Sequence, residues 1–139
     1  MTRFALDASV ALAWFLDHPV PADAVQAKHA LLAGSKGVVP ALWHLEIANS
    51  LIVAQRRRIL SAADALIAVS ALEQIVLQTL ELHADPVPIR EAFTTARNFG
   101  LSVYDAVYLD LARTEGIPLA SLDKRLRTAA AKAGVELFP

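Results

Sequence analysis

The sequence predicts one α/β domain spanning residues 1–139, with a central parallel sheet between two layers of helices. Three observations predict it. A content of 55% hydrophobic and 19% charged residues is that of a chain able to bury a core, not of a disordered one. Strand-sized apolar runs at 3–6, 37–39, 76–80, 117–122 and 135–138 lack clean polar alternation, as strands covered on both faces do. Segments of helical period lie between these runs, and parallel neighbours need such crossovers. No repeat, low-complexity tract or Ser/Gly linker divides the chain.

Taken in order, the first run ends at Asp7, where a helical segment begins. The stretch 42–58 after the second run reads as a helix. Ser61 and Asp64 form a capping-box pattern ahead of the stripe Ala62, Ala65, Leu66 and Val69. The run 76–80 is the third expected strand. Pro86 and Pro88 then precede Ile89, Ala92, Phe93, Ala96 and Phe99 at helical spacing, and Gly100 supplies a stop. The stretch 104–114 reads as a helix, and 117–122 as a fourth strand that Asp123 closes as the next helix opens.

The chain has no cysteine, which removes disulfides and thiolate ligands and points to a reducing, cytoplasmic setting. The apolar start carries Asp7 within it and resembles no export signal. No uncharged apolar run of about 18 residues occurs, so no membrane span is expected. A net charge of −1 gives no global attraction to a polyanion, so nucleic-acid binding would need a local basic surface or a bound cation.

In a parallel sheet, functional groups gather beyond the carboxyl ends of the strands. Asp7 and Asp123 stand there, in Leu6-Asp-Ala-Ser and Ser121-Leu-Asp-Lys-Arg, although each is also placed to cap a helix. Glu46 lies mid-helix, with Asn49 and Ser50 one turn on along the same stripe. Asp105 shares its helix face with Leu101, Tyr108, Leu109 and Ala112, where a surface helix keeps no carboxylate. The competing role for these two is a partly buried ion pair with an arginine. Four acids near one sheet edge repel, and a shared cation relieves them; oxygen-only ligation suits Mg²⁺ or Mn²⁺.

The blocks Leu6-Asp-Ala-Ser-Val-Ala-Leu, Leu45-Glu-Ile-Ala-Asn-Ser-Leu, Tyr104-Asp-Ala-Val-Tyr-Leu and Ser121-Leu-Asp-Lys-Arg-Leu resemble, in order and spacing, the motifs of PIN-domain ribonucleases, above all the VapC-type toxins of toxin–antitoxin pairs. The resemblance covers nearly the whole chain. It implies a three-layer α/β/α PIN-like fold with a central parallel sheet, and Asp7, Glu46, Asp105 and Asp123 as catalytic and metal-binding acids. It also implies RNA as substrate, cut to leave a 5′-phosphate and a 3′-hydroxyl, a small cognate antitoxin and a homodimer. Glu46 either ligates metal or orients the nucleophile. Ser121 stands where family members often carry Thr, which keeps the hydroxyl.

Other residues have weaker claims. Ser9 either holds a metal-bound water or substrate oxygen or caps the first helix, and Asn49 and Ser121 support the acids or make ordinary local hydrogen bonds. Arg56, Arg57 and Arg58, and Lys124, Arg125 and Arg127, meet phosphate or line solvated helix faces. Tyr104 and Tyr108 stack on bases or form core and pocket wall; Trp14, Phe15 and Trp43 are expected in the core, with a share in a subunit interface. The histidines have no ligand spacing. Two rivals stand beside the ribonuclease: a catalytically silent PIN-fold binding scaffold, and another Mg²⁺-dependent phosphoryl hydrolase. A dehalogenase-like phosphatase needs a second Asp two residues after Asp7, where Ser9 stands.

Overall fold

A computed structural model describes residues 2–139. In chain order its elements are β1 (Arg3–Leu6), α1 (Ala8–Leu16), α2 (Ala22–Leu32), β2 (Lys36–Pro40), α3 (Leu42–Arg56), α4 (Ala62–Thr79), β3 (Leu80–His83), α5 (Ile89–Phe99), α6 (Val103–Glu115), β4 (Leu119–Ala120) and α7 (Lys124–Lys132). The four strands form one parallel sheet in the order β3-β2-β1-β4, with Ala5 opposite Val38 on one side and Leu119 on the other. Helices flank the sheet, as expected for a three-layer α/β/α fold.

Strand order decides where a site can form. The chain steps outward from β1 to β2 to β3, then returns to lay β4 on the other side of β1. The crossovers on either side of β1 therefore diverge, and a crevice opens beyond the carboxyl ends of β1 and β4. Asp7 follows β1 directly, and Ser121 follows β4 directly.

The core is built of Phe4, Leu6, Val38, Val39, Trp43, Leu109, Leu119 and Leu126, all buried, and α6 lies against β1, β2 and β4. Trp14 and Trp43 are buried as expected, and Phe15 packs at the core's margin. The Trp14 indole N–H donates to the Ala24 carbonyl at 2.8 Å, tying α1 to α2. Gly100 ends α5 as anticipated; its φ of 65° is a conformation that side-chain-bearing residues avoid.

Two expected strands differ. Residues 76–79 belong to α4, because Ala65, Ala68, Leu72 and Thr79 hold a helical stripe buried along the helix, and packing overrides the β-preference of Ile75 and Val76. The strand starts at Leu80, where the backbone turns extended, and it is an edge strand with Glu81 and Leu82 exposed. The segment 135–138 forms only a bridge, Leu119 with Leu137. It is held by hydrogen bonds on both sides of Leu119 and by Phe138 stacked on Phe4 at 4.1 Å.

No uncharged apolar run spans a bilayer's thickness, yet α4 reaches that length and apolarity by composition alone. Asp64 and Glu73 lie within it, and its buried residues pack toward α3. Burial of two carboxylates in hydrocarbon is unfavourable, so the profile is that of a helix with one core face.

Candidate active site

Three of the four acids sit at helix N-termini. Asp7 is the N-cap of α1, Asp123 is the N-cap of α7, and Asp105 lies in the first turn of α6 behind the N-cap Ser102. The positive ends of those helices favour a carboxylate in the first turn. Glu46 alone lies within a helix, one turn into α3, and has no such help.

The capping role proposed for the two terminal acids holds at one position only. The Asp123 Oδ1 accepts the Leu126 backbone N–H at 3.0 Å, so this residue does cap α7. Asp7 makes no side-chain cap bond. Its Oδ2 accepts hydroxyls from Ser9 at 2.6 Å and Ser121 at 2.8 Å, while its Oδ1 accepts nothing among the described residues.

Those two serines form a matched pair. The Leu122 N–H donates to Ser9 Oγ at 3.0 Å, and the Asp123 N–H donates to Ser121 Oγ at 3.1 Å. Each hydroxyl therefore relays a backbone N–H from the loop before α7 onto one oxygen of Asp7. This welds the end of β1 to the end of β4. Each serine's single proton is used on Asp7, and Ser9 does not cap α1.

Glu46 gains a partner that the sequence offered as a base-stacking residue or as core and pocket wall. Tyr108, fully buried on α6, donates its hydroxyl to Glu46 Oε1 at 2.5 Å. A buried tyrosine hydroxyl needs an acceptor, and Tyr108 lies three residues after Asp105 on the same face. That spacing was the available signal. The ion-pair alternative fails for Glu46 and Asp105, since neither forms a salt bridge among the described residues.

Electrostatics tie the four acids together. Burial pushes the Asp7 carboxyl above the usual aspartate range, the two serine hydroxyls oppose this, and the charges of Asp105 and Asp123 push it further up. Burial likewise raises Glu46, the Tyr108 bond opposes it, and Asp7 and Asp105 add repulsion. Burial and then the charge of Asp123 raise Asp105, against the hydrogen bond at Ser102. Tyr108 is displaced far upward by burial and by Glu46, so it stays a neutral donor. No lysine or arginine side chain neutralises any of the four among the described residues. The acids are near enough to feel one another, yet no three described His, Cys, Asp or Glu residues stand at direct-ligation spacing for a metal.

The remaining expected residues scatter. Asn49 is exposed on α3 and makes no side-chain hydrogen bond among the described residues. Arg56 ends α3, ten residues beyond Glu46, which is about 15 Å along a helix. Arg127 is a latch: its guanidinium donates to the Ser121 carbonyl at 3.0 Å and lies 3.6 Å from Asp23. Lys124 and Arg125 are exposed beside Asp123. Tyr104 is exposed beside Asp105.

The family model of the PIN domain matches residues 4–132. This chain belongs to the PIN-domain family. Ribonuclease VapC3 of Pyrobaculum aerophilum is 34% identical over 83 residues, a match taking in 58% of this chain and 61% of that protein's length. The crystal structure of PAE2754 from Pyrobaculum aerophilum superposes with a TM-score of 0.72, covering 92% of this PIN domain and 79% of that chain. At 23% identity the second likeness shows the fold.

Proposed function

We propose that this PIN domain is a divalent-cation-dependent endoribonuclease acting as the cytoplasmic toxin of a toxin–antitoxin pair. One observation carries the reading: four carboxylates from four segments gather at a sheet switch point, where burial and the neighbouring acids raise the proton affinity of Asp7, Glu46 and Asp105, and no lysine or arginine among the described residues pairs with any of the four. The likeness to Ribonuclease VapC3 supports RNA as the substrate.

The donor set fits a hard cation. All four groups are carboxylates, and Asp7 keeps one oxygen unbonded although it is only 5% exposed. With no three acids at ligation spacing, Mg²⁺ or Mn²⁺ that keeps several waters fits better than a cation stripped to protein ligands. Asp7, Asp105 and Asp123 would hold it directly or through water, and Glu46 would ligate or orient the nucleophile. When bound, the cation supplies a lowered pKa for an attacking water and stabilises charge on the phosphate.

The chain's own groups do the rest. Ser9 and Ser121 fix Asp7 through one oxygen and leave the other free of protein donors among the described residues. Tyr108 fixes Glu46 and keeps one of its lone pairs occupied, which leaves the other oxygen to accept a proton from water. Lys124 and Arg125 stand beside Asp123 to meet backbone phosphates.

The test is cleavage of labelled single-stranded RNA with mapping of the ends. Cleavage is expected to leave a 5′-phosphate and to vanish in EDTA and in Asp7→Asn. Full activity in the chelator would remove the cation mechanism. Expression without the antitoxin should slow growth, and Asp7→Ala should relieve it. A silent scaffold would instead show RNA binding or partner binding without any cleavage at millimolar Mn²⁺. A homodimer belongs to the same proposal, and sedimentation of the purified chain checks it.

A further inference from the structure

We propose that Tyr104 is a base-stacking platform: its ring takes the face of a nucleobase beside the scissile phosphate and thereby selects unpaired RNA. The inference rests on the ribonuclease reading and adds a specificity-determining residue to it.

Tyr104 is 66% exposed on the first turn of α6, immediately before Asp105. Its neighbours along α6 are buried: Val107, Tyr108 and Leu111 all pack inward. Positions 104, 105 and 108 form a triangle on a helix surface, because residues three and four apart are neighbours. The Tyr108 corner carries the hydroxyl that holds Glu46, and the Asp105 corner carries a carboxylate coupled to Asp123. Tyr104 is the third corner, one residue before an acid of the crevice.

The ring is also unoccupied by the protein. Two aromatic side chains are highly exposed, Phe93 and Tyr104. The Arg97 guanidinium covers Phe93 at 5.6 Å, whereas no described ring or cation pairs with Tyr104. Its hydroxyl makes no hydrogen bond among the described residues. A large uncovered π-face one residue from an acid suits an unstacked base, and stacking on aromatic rings tolerates any base. In a duplex both faces of each base are already stacked, so this contact is closed to it.

The experiment compares Tyr104→Ala, Tyr104→Leu, Tyr104→Phe and Tyr104→Trp. With single-stranded RNA, Tyr104→Ala and Tyr104→Leu are expected to raise KM by roughly 5- to 100-fold, with kcat changed by less than about three-fold. Tyr104→Phe and Tyr104→Trp should stay near the wild type. Fluorescence anisotropy in EDTA, on an Asp105→Asn background, should show the same ranking in Kd for a labelled single-stranded oligonucleotide and no ranking for a duplex. Melting temperatures should change little, since Tyr104 is 66% exposed. Wild-type cleavage with an unaltered KM in Tyr104→Ala overturns the stacking role alone. A Tyr104→Leu variant matching the wild type does so too, because it retains bulk without a π-face. A wild type that neither binds nor cuts RNA overturns both this role and the ribonuclease reading.

Discussion

Replacing Asp7 by Asn should stabilise the cation-free protein while ending its activity. Asp7 is almost wholly buried and its folded carboxyl titrates above the ordinary range, chiefly through burial. The folded state therefore holds the proton more tightly than the unfolded chain does. The resulting penalty is absent below the unfolded pKa, grows as pH rises from the unfolded to the folded pKa, and is complete above the folded pKa. Asn keeps an oxygen for the two serine hydroxyls and loses only the charge assistance, about 1–2 kcal/mol over two bonds. Against this stands relief from the charges of Asp105 and Asp123; at an assumed separation of about 8 Å and an effective dielectric near 20, two unit charges repel by about 2 kcal/mol. Relief from burial of the charge adds to that. The net gain is about 1–2 kcal/mol, or roughly 4–8 °C in Tm for a chain of this size. Thermal melts in EDTA at about pH 7.5 and about pH 5 read it directly, and the gap between variant and wild type should narrow at the lower pH. A variant that melts at or below the wild-type temperature at neutral pH would refute the account of Asp7 as a charge held against its solvation preference.

Three other outcomes are expected. Mg²⁺ or Mn²⁺ at ten times its Kd should stabilise the wild type by about 1.4 kcal/mol, and Asp105→Asn should blunt that rise; equal rises in both would count against a shared cation. Tyr108→Phe should lower stability by about 1–2 kcal/mol, because Glu46 loses its donor, and should reduce kcat more than it alters KM; steady-state kinetics with circular dichroism melts check both. Ser9→Ala should destabilise by about 1–2 kcal/mol and lower activity, since it strips a donor from Asp7 and an acceptor from the Leu122 N–H; unchanged melts would mean that the weld between β1 and β4 carries no weight.

Much of the fold was visible in the chain because its signals are local. Buried strands announce themselves as apolar runs, and Ser61 and Gly100 mark helix ends by their own chemistry. The run 76–80 misled because Ile75 and Val76 suit a strand by preference, and only the packed stripe of α4 keeps 76–79 helical. For the site, residue type and the expected strand ends singled out the acids and the supporting serines. Sequence could not show that Ser9 and Ser121 converge on one oxygen of Asp7, nor that Tyr108 reaches Glu46, because these pairs are 114 and 62 residues apart for Ser121–Asp7 and Tyr108–Glu46. Arg127 misled for the same reason: its neighbour in sequence is an acid of the site, but its guanidinium serves the Ser121 carbonyl.

The placement of the acids also explains why this fold can carry a repulsive cluster at all. A parallel sheet with a switch point sends the chain from strand end into helix start at each crossover, so helix N-termini, with their unpaired N–H groups, collect at one edge. Asp7 and Asp123 occupy two such starts, Asp105 lies in the first turn of α6 just after α5, and the Leu122 and Asp123 N–H groups reach Asp7 through serine hydroxyls. The backbone thus offsets part of the charge without a lysine or arginine paired to the acids among the described residues; such a side chain would fill the crevice and exclude a cation. What it leaves uncompensated is visible in the upward displacement of Asp7, Glu46 and Asp105. That residue of unfavourable energy is what a divalent ion would relieve on binding, and such binding would link the stability of the domain to its cation supply.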